Sequence, residues 1–272
     1  MLGSPIAHSK SPAIHRAAYA RLGLPWRYDA VEVDEAGLGA FLDGLDGEWR
    51  GFSLTMPLKR DVVRRLATRS SLVDLVGGAN TVRIDDDGLH GINTDVHGIV
   101  AALRGGGVTA VERVIVLGSG ATAASVLAAI AELGARQVRI AARTPRNAAP
   151  LERIAATLGL AIEIEPLTRV VAGDADLVVS TLPGGTAAPE APARLRASAA
   201  LFDVAYDPWP SALATAWAEA GGRVVPGIEM LLHQAIGQIR FFRSGDESAP
   251  LPDEPGLLAA MRASIGVAAP SA

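Results

Sequence analysis

Of the 25 basic residues in this 272-residue chain, only Lys10 and Lys59 are lysines; every other cation is an arginine. Either cation serves on a solvated surface. Only lysine gives up and regains a proton at modest cost in a partly desolvated site, so it is the one suited to acid–base chemistry. Lys59 stands in GFSLTMPLKR and Lys10 in GSPIAHSKSP. A bias toward arginine would by itself leave two lysines anywhere, so the segments around them have to carry the argument.

A second group of residues could hold an anion. In VIVLGSGATAASVL a short apolar run is followed by Gly118, Ser119 and Gly120, and then by Ala121, Thr122 and an alanine-rich helical pattern. Strand, glycine turn and helix in that order let backbone amides approach a pyrophosphate at a helix N-terminus. A tight turn in any α/β sheet has the same look, so the next strand matters. About 20 residues on, where an NAD-binding fold places an acid for the ribose hydroxyls, the chain has Arg143, Thr144 and Arg146. Two guanidiniums and a hydroxyl there suit a 2′-phosphate, and hence NADP. Cations at a helix start oppose its dipole, a mild penalty that a bound anion offsets.

The elements that must position these groups follow from the pattern of apolar residues. With 49% hydrophobic and 20% charged residues, the chain has the make-up of a soluble globular protein large enough for two cores. A net charge of −4 gives no reason to expect nucleic acid or an anionic membrane as partner. Without cysteine there is no thiol chemistry, disulfide or thiolate metal site. The histidines at 8, 15, 90, 97 and 233 make no metal-ligand spacing, so no metal is expected. The N-terminus lacks the charged and apolar regions of a secretory signal, which leaves the cytoplasm. The uncharged stretch 114–131 approaches the length of a membrane span but is broken by its glycines, and it reads as a buried strand, a turn and a helix.

Helical and strand signals alternate, as in an α/β protein with largely parallel sheets. In the first half, helices are expected at 12–23, 36–45, after Pro57 and at 96–104, strands at 28–33 and 51–55, and a hairpin at 81–84 and 88–92 around a DDDG turn. The glycines 105–107 are the expected hinge. Beyond them come strands at 114–117, 137–141, 161–164, 177–180, 200–203 and 223–225, helices at 121–133 and 147–158, and closing helices at 228–242 and 256–265.

GSPIAHSKSP, SLTMPLK, GGANT, GINTD and GIEMLLHQA occur in the order and spacing of the shikimate dehydrogenase family, which essentially the whole chain resembles. The resemblance implies two α/β domains: a substrate domain built from both chain ends, 1–104 plus 228–272, and a Rossmann-like, doubly wound NADP domain at 105–227. It implies reduction of 3-dehydroshikimate to shikimate with NADPH, a step of chorismate and aromatic amino acid biosynthesis, by a monomer or homodimer.

It also assigns roles. Lys59 and Asp95 become the catalytic pair, an ammonium held against a carboxylate that meets the developing alkoxide and delivers its proton. Asp95 and Lys59 also read as an N-cap and a solvated first-turn residue, but those readings leave the retained lysine unexplained. Ser9 and Ser11 match the hydroxyls that hold the substrate carboxylate; Ser11 could equally cap a helix with Pro12 at its first position, whereas Ser9 has no capping role. Thr55, Asn80 and Gln234 match contacts to substrate, and Tyr206 an aromatic that reaches the carboxylate. Met230, one helical turn from Gln234, and Gly227 match the nicotinamide surroundings.

Departures from the family pattern are Ser53 where many members have Asn, GSGAT where GAGGA is common, and Ala142 where Asn often precedes the Arg-Thr pair. Only Met1 and Leu2 precede the GSPIAHS loop, where members have a strand, so the natural protein is expected to start upstream. A quinate/shikimate dehydrogenase using NAD is disfavoured by Ser11 in place of Thr and by the two arginines. A nucleotide-binding regulator without catalysis is disfavoured by retention of Lys59 and Asp95.

Overall fold

Runs of strand that are apolar at every position belong at the centre of a parallel sheet, where both faces are covered. A computed structural model of the chain describes residues 1–168 and 173–268. In it, Arg113–Leu117 and Leu177–Ser180, buried at all but the first of these nine positions, lie side by side.

Contacts divide the chain into two units, Met1–Asp95 with Leu231–Ala272, and Val96–Met230. The strands of the first unit are β1 (Leu2–Gly3), β2 (Val31–Glu32), β3 (Gly51–Ser53), β4 (Thr68–Arg69), β5 (Thr81–Asp85) and β6 (Gly88–Ile92). Those of the second are β7 (Arg113–Leu117), β8 (Gln137–Ala142), β9 (Ala161–Pro166), β10 (Leu177–Ser180), β11 (Ala200–Asp203) and β12 (Val224–Pro226).

The second unit is a six-stranded sheet in the order β12-β11-β10-β7-β8-β9, every pair parallel. Strand order reverses between β7 and β10. That is the doubly wound topology, whose switch point is the usual place for a dinucleotide. Behind β7, the helix Ala121–Glu132 buries every residue from Ala123 to Ile130.

The first unit departs from the largely parallel expectation. β5 and β6 form a hairpin closed by Asp86 and Asp87, and a two-residue connection allows only antiparallel pairing. β3 joins β5 antiparallel, while β4 lies parallel to β6, and β1 to β2 with a parallel bridge from Leu2 to Leu54. Leu2, Phe52, Leu54, Leu58, Val62, Val73 and Val82 form its core.

The unit boundary falls at Asp95, before the helix Asp95–Gly105 rather than at the glycines after it. Gly106 lies against Val225, and Arg104 pairs with Glu132 at 3.1 Å, which ties the end of that helix to the second unit. The glycines cap it: Gly107 has φ 79°, and the amide of Val108 donates back to the carbonyl of Leu103 at 2.8 Å. Sequence patterning missed β4 and the helices Ser71–Val76, Ala193–Ser198 and Ala212–Glu219, and the helix expected after Pro57 is the single 3₁₀ turn Asp61–Arg65. Among the described residues no helix is long and apolar enough to cross a membrane.

Candidate active site

Lys59 follows the β3 segment and its TMP turn, and Asp95 opens the helix after β6; their elements bring Nζ to 2.6 Å from Oδ2. The Lys59 side chain is 12% exposed and that of Asp95 is fully buried. Burying such a pair is worthwhile only when the remaining lone pairs are satisfied. Here the other oxygen, Oδ1, accepts from Asn80 Nδ2 at 2.8 Å, and a carboxylate in the first turn of a helix is favoured by the helix dipole.

Asn80, fully buried at the start of β5, organises the cluster. Its Oδ1 accepts from the Thr94 amide at 2.9 Å and from the Thr81 hydroxyl at 2.8 Å, and its Nδ2 also meets Gln234 Oε1 at 2.9 Å. Its amide is therefore fully employed within the chain. The helix Gly227–Ser244 reaches in because residue 237 is glycine: a Cβ there would lie 3.1 Å from Thr94 Cγ2. Thr94 and Asn93 lie in the same GINTD segment as Asp95, a signal that sequence reasoning leaves without a role for either.

Two expectations on the serines change. The helix is Ser11–Leu22 with Lys10 at its N-cap, so Ser11 sits in the first turn and caps nothing. Ser9, which looked free of any local role, accepts from the Ser11 amide at 3.3 Å and donates to Met1 Sδ at 3.0 Å. Thr55 lies just past β3, its amide on the Leu2 carbonyl at 2.9 Å. Tyr206 and Met230 belong to the second unit. Burial, and then neighbouring Asp207, raise the Tyr206 phenol, so it stays protonated and able to donate.

Behind Ser11 lies a buried wall absent from the sequence reading. His15 Nδ1 donates to the Ser11 carbonyl at 2.9 Å, its ring stacks on Tyr28 at 3.8 Å, and the Tyr28 hydroxyl bonds Ser53. Burial lowers the His15 pKa from 6.5 to about 3. Below pH 6.5 the unfolded chain takes up a proton that the folded imidazole refuses. Stability is thus full above pH 6.5 and is lost progressively down to about pH 3. The expected loss is ~1.4 kcal/mol per unit, or ~2 kcal/mol between pH 6.5 and 5. Urea unfolding at the two pH values checks this, with His15→Phe expected to flatten the dependence; equal slopes in parent and variant would rule it out.

In the second unit, Gly118 has φ 107°, and a Cβ there would lie 2.4 Å from the Thr181 hydroxyl. Gly118 is thus required by the chain's own fold. Gly120 is not: a Cβ there meets no protein atom within 4 Å, and it caps the helix Ala121–Glu132 without a side-chain bond. Ser119, Ala121 and Thr122 flank it, half-buried, at a helix start free of acidic residues. Open space beside unused amides fits a pyrophosphate. Arg143 follows β8, Thr144 precedes the 3₁₀ turn Pro145–Ala148, and Arg146 lies within it. Both guanidiniums are exposed, and neither has a carboxylate partner among the described residues. Arg143 lines a cavity of about 370 Å³ with Pro166, Leu167, Thr168 and Ala188. These residues fit a 2′-phosphorylated dinucleotide. Gly227 has a packing reason of its own, since a Cβ there would fall 2.2 Å from the Val204 carbonyl oxygen.

Among the described residues one group of metal-ligand type, Asp85, Asp87 and His90, occurs at the β5–β6 hairpin, but Arg83 forks onto Asp85 at 2.7 and 3.0 Å and opposes a cation there.

Residues 1–82 match the profile described as the shikimate dehydrogenase substrate binding domain. The "Shikimate dehydrogenase (NADP(+))" of Rubrobacter xylanophilus is 37% identical over 246 residues, 87% of either chain. The crystal structure of Mycobacterium tuberculosis shikimate dehydrogenase superposes with a TM-score of 0.81 at 38% identity, covering 96% of this chain and 97% of that one. The shikimate 5-dehydrogenase of Thermus thermophilus, solved in complex with NADP(H) and shikimate, gives 0.81 at 32% identity and 97% coverage of both chains. With the Lys59–Asp95 cluster, the doubly wound sheet and relatives of this similarity over nearly its whole length, the chain belongs to the shikimate dehydrogenase family.

Proposed function

We propose that this chain interconverts 3-dehydroshikimate and shikimate with NADP(H), and that Lys59 and Asp95 carry the proton transfer. The observation that carries the assignment of the pair is their buried contact at 2.6 Å, braced by Asn80. When bound, the reduced nicotinamide supplies a hydride to the ketone carbon. As the C–H bond forms, the carbonyl π pair moves onto oxygen, and Lys59 donates the proton that makes it a hydroxyl. Asp95, held at both oxygens, keeps the ammonium aimed and balances its charge. In the oxidation direction the same lysine takes the proton back. A positioned acid of this kind contributes ~10²–10⁴ in rate.

Ser9, Ser11 and the Tyr206 phenol serve the substrate carboxylate, and Thr55, Asn80 and Gln234 its ring hydroxyls. Gly118 to Thr122 hold the pyrophosphate, Arg143, Thr144 and Arg146 the 2′-phosphate, while Gly227 and Met230 border the nicotinamide. The protein acts in the cytoplasm as a monomer or homodimer, within aromatic amino acid biosynthesis.

Steady-state oxidation of shikimate and of quinate, each with NADP and with NAD, tests this. Turnover is expected with shikimate and NADP. Comparable turnover of quinate with NAD would move the chain to the quinate-oxidising branch, and no turnover in any pairing would leave a binding protein.

A further inference from the structure

We propose that Asn93 is a positioning residue that sets the spacing of Lys59 and Asp95, an inference that rests on reading that pair as the site of proton transfer. Asn93 is 2% exposed, and its side chain bonds main-chain groups beside both charged residues. It holds the backbones that carry them. Its Oδ1 accepts from the Asp95 amide at 3.0 Å, and its Nδ2 donates to the Gly78 carbonyl at 2.8 Å. Gly78 is pressed against the lysine: a Cβ there would lie 3.3 Å from the Lys59 carbonyl oxygen and 3.6 Å from Lys59 Cβ. The next amide, Ala79, donates to that same Lys59 carbonyl at 2.8 Å. One side-chain amide therefore links the connection before β5, which backs the lysine, to the residue bearing the carboxylate. Asn80 fixes the pair from the side-chain end, and Asn93 fixes it from the main chain.

A purely local role would need only half of these contacts. The bond to the amide two residues on is an Asx turn, which Ser also makes. The bond to Gly78 spans 15 residues of sequence and needs the donor and reach of an amide. Asn93→Ser keeps the turn and loses the link. Asn93→Asp keeps shape and acceptor while replacing the donor, and it serves if the serine variant folds poorly.

Since a misplacement of about 1 Å can cost about a hundredfold in rate, either variant is expected to lower kcat for shikimate oxidation by about tenfold to a hundredfold, with the KM for shikimate within about threefold of the parent. The isotope effect on hydride transfer, read with shikimate deuterated at the reacting carbon, is expected to rise as chemistry becomes slower. An unchanged kcat and isotope effect with only a lower Tm would overturn the proposal, as would a raised KM at unchanged kcat. A crystal structure of Asn93→Ser gives a readout independent of turnover. The proposal expects Nζ and Oδ2 to part beyond hydrogen-bond distance, and an unaltered 2.6 Å contact overturns it. An inactive parent whose Asn93→Ser variant still shows the parted pair would instead sink the dehydrogenase reading alone.

Discussion

Lys59→Arg is expected to cut turnover by about 10²–10⁴ while leaving the fold as stable as the parent, and Lys59→Ala to cut turnover as much and weaken the fold as well. The two effects separate because arginine keeps the charge beside Asp95 but holds its proton throughout the accessible pH range. Alanine removes the charge and leaves a fully buried carboxylate with Asn80 as its side-chain partner. Losing a positioned acid costs about 10²–10⁴ in kcat. Breaking a buried pair from one side costs up to ~3–5 kcal/mol, with the lower end apt here because Lys59 keeps some solvent contact. Asp95→Asn should lose activity to a similar extent, and Lys59→Ala with Asp95→Asn should lose little more than either alone, because the two act as a unit. Turnover by Lys59→Arg within about threefold of the parent would show that proton transfer does not run through this side chain.

What the sequence disclosed and what it hid divide along the range of the interactions. Elements with a continuous apolar run, such as the strands 177–180 and 200–203, match the structure residue for residue. Lys59 and Asp95 were legible as residue types inside motifs, although 36 positions separate them and their contact depends on the β5–β6 hairpin. The hidden parts depend on packing rather than pattern. β4 has two exposed residues and is a strand only because β6 lies beside it. Gly227 and Gly120 look alike in a string of letters. In the folded chain a side chain at 227 would strike the Val204 carbonyl, whereas one at 120 would meet nothing. In the sequence His15 stands out only as a histidine without metal-ligand spacing, and nothing local announces that it stacks on Tyr28 and braces the carbonyl of Ser11. Ser53, noted only as a departure from the family pattern, is the far end of that same wall.

The arginines after β8 carry the other large effect. Replacing both, Arg143→Ala with Arg146→Ala, is expected to raise the KM for NADP by about a hundredfold or more and leave that for NAD within about twofold, because a hydrogen bond to a charged group is worth ~1.5–3 kcal/mol and only NADP presents the phosphate. Among the described residues neither guanidinium has a carboxylate to release when the phosphate arrives, so little of that energy is spent on exchanging partners. Both are exposed, so the parent's KM for NADP should climb with ionic strength while the double variant's stays flat. The fold should not suffer. Arg146 lies in the 3₁₀ turn leading into the helix Ala149–Leu158, where a cation opposes the dipole, so its removal is neutral or slightly stabilising. Stability thus gives a reading that does not require a working nucleotide complex in the variant. Equal losses with NADP and NAD would assign the arginines to some other part of the dinucleotide, and the basis for cofactor choice would then have to lie outside the turn that follows β8.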